Sequence, residues 1–243
     1  MTNERLQKVL SQAGLGSRRE MERWIEKGMV KVNGQTAVLG MSVTDKDKII
    51  VRGNLIENPL KRELRTRVLL YHKPVGEISS RYDPKHKRTI FDQLPTIRNG
   101  RWIQVGRLDI NTSGLMIFTN NGELANQLMH PSKAFEREYS VRVHGEVTES
   151  IIKNLLQGVE LEDGKAQFKK IEYQGGEGAN SWYNVILTEG KNREVRRLWK
   201  SQNVEVSRLI RIRFGPISLP RSLARGRTVE LSSAAVSKLL NDF

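Results

Sequence analysis

The sequence predicts an α+β protein with a small N-terminal module over residues 1–60 and a larger domain over residues 61–243. Three observations carry this. Two short amphipathic segments and two short strand-like runs fall within the first sixty residues. Residues 54–66 hold a Pro and alternating charge without sustained periodicity, and read as a linker. Beyond them, runs with strand composition recur between helical segments, the pattern of a mixed, mainly antiparallel sheet flanked by helices.

In residues 4–13, Leu6, Val9, Leu10 and Ala13 fall on one helical face, and Gly14 can end that helix. Ser17 followed by Glu20 spells a capping box. The helix it opens turns Met21, Trp24 and Ile25 inward and stops at Gly28. Residues 29–32 form a strand that runs into an Asn33-Gly34 turn, and residues 48–51 form another. In the larger domain a strand over 67–72 is stopped by Lys73-Pro74. Residues 81–88 make a basic loop with one aromatic, Tyr82, suited to lie along phosphates. Residues 115–119 read as a buried strand, and 136–143, 182–188 and 204–213 as further strands. Helices are expected over 122–129, 148–157, 193–200 and 231–240, and a flexible turn at 175–178.

The net charge is +14 in 243 residues, which predicts a polyanionic partner, most simply nucleic acid. The surplus is concentrated: the span 191–227 holds eleven Lys and Arg against two Glu. The absence of cysteine excludes disulfides, thiolate nucleophiles and Cys-ligated zinc. The four His are not paired at metal-ligand spacing, and no apolar run approaches bilayer length. A cytoplasmic protein without metal, cofactor or membrane association is expected, with a monomer as the default.

One stretch carries the chemistry: Gly106-Arg107-Leu108-Asp109-Ile110-Asn111-Thr112-Ser113-Gly114-Leu115. A Gly stands near each end, so the backbone can turn tightly there, and side chains able to bond their own backbone fill the middle. The loop therefore presents a single carboxylate, Asp109, on a short support leading into a buried strand. Taken alone, such an Asp more often only caps its loop. The wording Gly-Arg-Leu-Asp-x-x-Thr-Ser-Gly-Leu, however, resembles the catalytic motif of the pseudouridine synthases that act on ribosomal RNA. Lys73-Pro74 with Gly76, Arg137-Glu138-Tyr139, the run from Lys191 to Leu198, and Leu209-Ile210-Arg211 before Phe214-Gly215 resemble further motifs of that family, in the same order.

Residues 3–53 resemble the S4 RNA-binding domain through Arg5-Leu6-Gln7-Lys8-Val9-Leu10, Gly14-Leu15-Gly16-Ser17-Arg18-Arg19-Glu20 and Gly28-Met29-Val30-Lys31-Val32-Asn33-Gly34. Arg18 and Arg19 stand in the first turn of a helix, where free backbone N–H groups already favour phosphate. Arg5 and Lys8 are expected one turn apart on the first helix, with Arg23 on the second and Lys31 on the following strand. Together they could track an RNA backbone without reading bases. The bland alternative is a solvated helix face, partly neutralised by Glu4, Glu22 and Glu26.

The resemblance implies conversion of uridine to pseudouridine, closest to the S4-bearing branch that modifies large-subunit (23S) RNA. It makes Asp109 the catalytic residue, acting on C1′ as a nucleophile or on the sugar as a base. It implies that Arg196 pairs with Asp109 and that Tyr139 packs on a base flipped from its stack, a contact of about 1–3 kcal/mol. It makes Leu209 an apolar wall, and sets Arg107 on the substrate side and Lys191 on the RNA. The alternatives are a non-catalytic RNA-binding or ribosome-assembly factor of the same fold, and a synthase for small-subunit RNA.

Overall fold

The computed structural model describes residues 3–62, 65–81, 88–98 and 100–241. Residues 82–87 of the expected basic loop lie outside the described residues. Contacts divide the chain into two units: Met1–Arg67 with Pro95–Ile103 and Thr119–Gly122, and the remainder.

The first unit begins with β1 (Glu4–Arg5), α1 (Leu6–Gln12) and α2 (Arg18–Glu26). Strands β2 (Val30–Val32), β3 (Gln35–Thr36), β4 (Ser42–Val43), β5 (Ile49–Val51) and β6 (Asn54–Ile56) follow. The sheet order is β3-β2-β5-β6, all antiparallel, and β1 pairs with β4. Leu6, Val9, Leu10, Met21, Ile25, Val30 and Ile49 form one buried cluster, as the 3.6-residue and two-residue periods require. The capping box is present: Ser17 Oγ accepts from Glu20 N, and the Glu20 carboxylate accepts from Ser17 N.

Two expectations are corrected here. Arg5 lies at the N-cap of α1, within β1, and donates to the Gly40 carbonyl, so it does not share a helix with Lys8. The start of the expected linker is ordered. Strand β6 pairs with β5, and buried Asn58 donates to the carbonyls of Thr44 and Asp47 at 2.9 and 3.1 Å. Local polarity hid the ordered linker: Asn54 and Leu55 of β6 face solvent, and Asn58 does its work through its amide.

The rest of the chain supplies β7 (Val68–Lys73), β8 (Ile103–Val105), β9 (Ser113–Thr119), α3 (Gly122–Met129), β10 (Arg137–His144) and α4 (Glu149–Gln157). Then come β11 (Val159–Leu161), β12 (Gly164–Ala166), β13 (Lys170–Glu177), β14 (Asn180–Leu187), α5 (Glu194–Lys200) and β15 (Glu205–Phe214). Strands β16 (Ile217–Ser218) and β17 (Thr228–Glu230) and helix α6 (Ser233–Asn241) close it. The large sheet runs β13-β14-β10-β15-β9-β7-β17, with β8 beside β9 and β16 beside β15. It is mixed: β9 and β15 run parallel, while β10 is antiparallel to both β14 and β15. The expected flexible turn at 175–178 is mostly strand: Gly175 and Gly176 belong to β13, where the register shifts between Tyr173 and Gly176. No described helix is long and apolar enough to cross a membrane.

Strand β9 is buried at every position, and its parallel register sets Gly114 opposite Arg211. Gly114 has φ +110°, and a Cβ there would lie 2.3 Å from the Arg211 carbonyl oxygen. Only Gly lets the two backbones approach where the Asp109 loop enters the sheet. Gly114→Ala is expected to destabilise the protein by at least about 2 kcal/mol; a lowered urea midpoint measures it, and an unchanged midpoint would show that β9 can shift without cost.

Candidate active site

The loop between β8 and β9 is held from below by a lysine. Lys73, at the end of β7, is fully buried, and its ammonium donates to the carbonyls of Pro74 (3.0 Å), Thr112 (2.9 Å) and Asp109 (3.2 Å). Three donors meet three acceptors, so the ammonium is saturated. Burial pulls its pKa down to about 8, against the nearby Glu77 and Asp109 carboxylates, which raise it. Ser79 Oγ donates to Leu108 O at 2.7 Å, Gly76 N donates to Ile110 O at 2.8 Å, and Thr112 N closes a turn on Asp109 O at 3.0 Å. The backbone on both sides of Asp109 is thus fixed by four neighbours.

The half-buried Asp109 side chain opens into a cavity of about 460 Å³, within the range of nucleotide and cofactor pockets. Tyr139, Leu209, Arg211 and Phe214 line it from the large sheet, Arg107 from the loop itself, and residues 190–195 from the turn into α5. Register explains the grouping. Tyr139 on β10 stands opposite Arg211 on β15, and Leu209 lies two residues away on the same face. Arg211 is buried; its Nε donates to Leu115 O at 2.8 Å, and its guanidinium lies 5.3 Å from the Phe214 ring. Burial lowers the Arg211 pKa, yet it stays a cation.

Asp109, Tyr139, Leu209, Arg107 and Lys191 therefore border one cavity. Arg196 does not, and its expected ion pair with Asp109 is corrected. Among the described residues no ion pair joins them; the Arg196 guanidinium donates to Asn111 O and Val206 O, both at 2.8 Å. It grips the Asp109 loop by a carbonyl two residues downstream, and the Asp109 charge acts on it only through space. Lys191 is also committed within the protein: its ammonium donates to Lys165 O at 2.7 Å and pairs with Glu189 at 3.1 Å. Its place at the cavity rim stands, but its charge anchors the β11–β12 hairpin.

In the first unit, Arg18, Arg19, Arg23 and Lys31 are exposed, while Lys8 pairs with Glu4 at 2.7 Å. Three residues given no role on sequence grounds belong to the cavity or its support. Lys73 is a lone charge ending an apolar strand, a signal that was available. Arg211 shares the two-residue alternation of Leu209, which would have set it on the buried face. Arg193 lines the cavity with a backbone φ of +50°, which no sequence pattern announces.

Comparison with known proteins shows the family to which the chain belongs. The RNA pseudouridylate synthase family model matches residues 67–201, and the S4 domain model matches residues 4–49. The chain belongs to the RNA pseudouridylate synthase family and carries an S4 domain; it is an isomerase of that class. It is 56% identical, over 98% of its length and 82% of the relative's, to the ribosomal large subunit pseudouridine synthase B of Salmonella typhi. The enzyme of that name from Escherichia coli (strain K12) is 55% identical over the same shares. The one from Pseudomonas aeruginosa is 55% identical over 97% of this chain and 61% of its own. A crystal structure of a pseudouridylate synthase superposes with a TM-score of 0.65 at 24% identity, covering 97% of this chain and 99% of that one, which shows the shared fold.

The Lys73 burial has a pH consequence. Its pKa is about 8 when folded and 10.5 as a free side chain. Between those values the unfolded chain holds the proton that the folded chain has lost, so this residue's contribution to stability rises with pH. Relative to Lys73→Met, the wild type is expected to gain as much as about 3 kcal/mol between pH 8 and 10.5, read from urea midpoints of both proteins; a flat difference would mean that Lys73 titrates as a free lysine.

Proposed function

We propose that this chain isomerises a specific uridine of large-subunit (23S) ribosomal RNA to pseudouridine, with Asp109 as the catalytic carboxylate. The observation that carries this reading is the setting of Asp109. Its main chain is bonded by Lys73 and by Thr112 N, and its side chain is turned to a nucleotide-sized cavity walled by an aromatic, an aliphatic and two buried or rim cations. The names of relatives 55–56% identical over nearly the whole chain supply the RNA and the reaction.

The reaction breaks the N1–C1′ bond, turns the uracil and joins C5 to C1′. It consumes no reductant, oxidant or nucleotide. A uracil drawn out of its stack enters between Tyr139 and Leu209, with desolvation favouring an aromatic face against an aliphatic wall. Asp109 then acts at C1′ or on the sugar; both roles need an ionised carboxylate with a free lone pair. Among the described residues its carboxylate accepts no hydrogen bond, so no described side chain competes with the substrate for it. Tyr139 stands opposite the buried Arg211 across the strand pair, so its ring has a fixed base. The exposed Arg18 and Arg19 in the first turn of α2 give the S4 domain a phosphate grip.

Two tests follow. Pseudouridine mapping by carbodiimide labelling and primer extension, with and without the gene, is expected to lose one large-subunit signal that the wild type restores. Asp109→Asn is expected to lower turnover at least about a thousandfold while RNA affinity stays within a few-fold; substantial residual turnover would sink the assignment. Replacing Arg18 and Arg19 by Ala is expected to weaken binding with every RNA sequence and to flatten the plot of log K against log salt by about one to two units. An unchanged slope would remove those residues from the RNA contact.

A further inference from the structure

Across the Asp109 loop from the candidate active site lies a second cavity, of about 510 Å³. The loop divides its residues between the two: Asp109 and Thr112 border the first, Asn111 and Ser113 the second, and Leu209 borders both. Arg196, Arg208 and Arg225 converge on the second cavity, and no acidic residue lines it. The guanidinium of Arg196 is occupied by the carbonyls of Asn111 and Val206. Those of Arg208 and Arg225 are exposed and, among the described residues, make no hydrogen bond or ion pair.

Both unengaged arginines stand on fixed backbone. Arg208 belongs to β15, flanked by Ser207, whose hydroxyl accepts from Arg142 Nε at 2.9 Å and donates to Arg142 O at 3.1 Å. Arg225 lies on a turn clamped to β7: Gly226 N donates to His72 O at 2.7 Å, and His72 Nδ1 lies 2.8 Å from Leu223 O. Pro74 and Val75, the latter exposed, supply an apolar side to the same cavity. Two rigidly based cations facing an apolar surface match a nucleotide: guanidinium for phosphate, aliphatic groups for the base or sugar.

We propose that this cavity is a second nucleotide subsite, holding a nucleotide that flanks the target uridine in the same RNA strand, with Arg208 and Arg225 on its phosphate. The inference rests on the proposed RNA substrate and extends it. A uridine at Asp109 carries a phosphodiester on each side, and a strand leaving the first cavity past Leu209 meets the second. The concentration of basic residues over 191–227 then has a local purpose, since the catalytic cavity uses only part of it.

The test uses the full chain with Arg208→Gln and Arg225→Gln combined; neither residue borders the Asp109 cavity. The probe is large-subunit RNA from cells lacking the gene, labelled with tritium at uridine C5. Binding is measured against salt, and turnover by tritium release. The expected result is a log–log salt slope reduced by about one to two units, KM raised about tenfold and kcat within threefold. Lys153→Gln, which lines neither cavity, is expected to leave slope and KM unchanged; an equal effect there would reduce the result to general charge and overturn the subsite. An unchanged slope and KM in the double variant would overturn it, as would a fall in kcat alone. Loss of binding to free uridine 5′-monophosphate with an intact RNA slope would reassign the cavity to a free nucleotide. If the wild type releases no tritium, the proposed reaction fails, while the salt slope still decides the subsite.

Discussion

The ammonium of Lys73 is the constraint on which the candidate site depends. It is buried where a charge is costly, and its cost is offset by three carbonyls and two nearby carboxylates. Two of those carbonyls belong to Asp109 and Thr112, so the loop cannot swing without leaving a buried cation short of acceptors. A hydrophobic residue at position 73 could fill the space but could not specify the backbone path. The lysine exchanges stability for position, which is the exchange expected beneath a carboxylate proposed to be reactive.

Arg196 serves the same end from the other side. Had it forked the Asp109 carboxylate, the oxygen lone pairs that the proposed reaction needs would already be engaged. By donating to Asn111 O it fixes the loop through its main chain and leaves the carboxylate open to the cavity. The Asp109 charge still favours the arginine's protonated form, against burial and the like charge of Arg193. Orientation thus comes from backbone contacts and electrostatic bias from distance, so the proposed catalytic oxygen is positioned without being consumed.

The parts of the fold written in apolar periodicity were legible in the sequence. Helices α2 to α6 and strands β7, β9, β10, β14 and β15 fall close to their expected spans, because each carries a buried face with a clear period. The short strands β1, β3, β4, β6, β8, β11, β12, β16 and β17 were missed, since two or three residues cannot display a period, and the longer β13 was missed because most of its residues are exposed. Tyr139, Leu209 and Asp109 were placed by motif, and their convergence follows from register that only pairing reveals. The Arg196 partner was misjudged for a related reason. Sequence names charges but not carbonyls, and here a carbonyl outcompetes the carboxylate for the guanidinium.

The same blindness explains how the arginines of the C-terminal part divide. Arg197 pairs with Asp163 at 2.7 Å, Arg213 with Glu136 and Glu138, and Arg211 is sealed in the core against Phe214 and Tyr139. These are structural cations, each answered from within. Arg193, Arg208 and Arg225 have no answering group among the described residues, and each lines one of the two cavities flanking the Asp109 loop. Solvated arginines need no partner, so exposure alone would mean little. What gives these three weight is their arrangement: they stand beside concave surfaces that also offer apolar contacts, where a bound phosphate would be partly shielded from water and salt. A net charge of +14 spread evenly would attract RNA without orienting it; unanswered charge gathered on both sides of one carboxylate can bring the strand to that carboxylate in register.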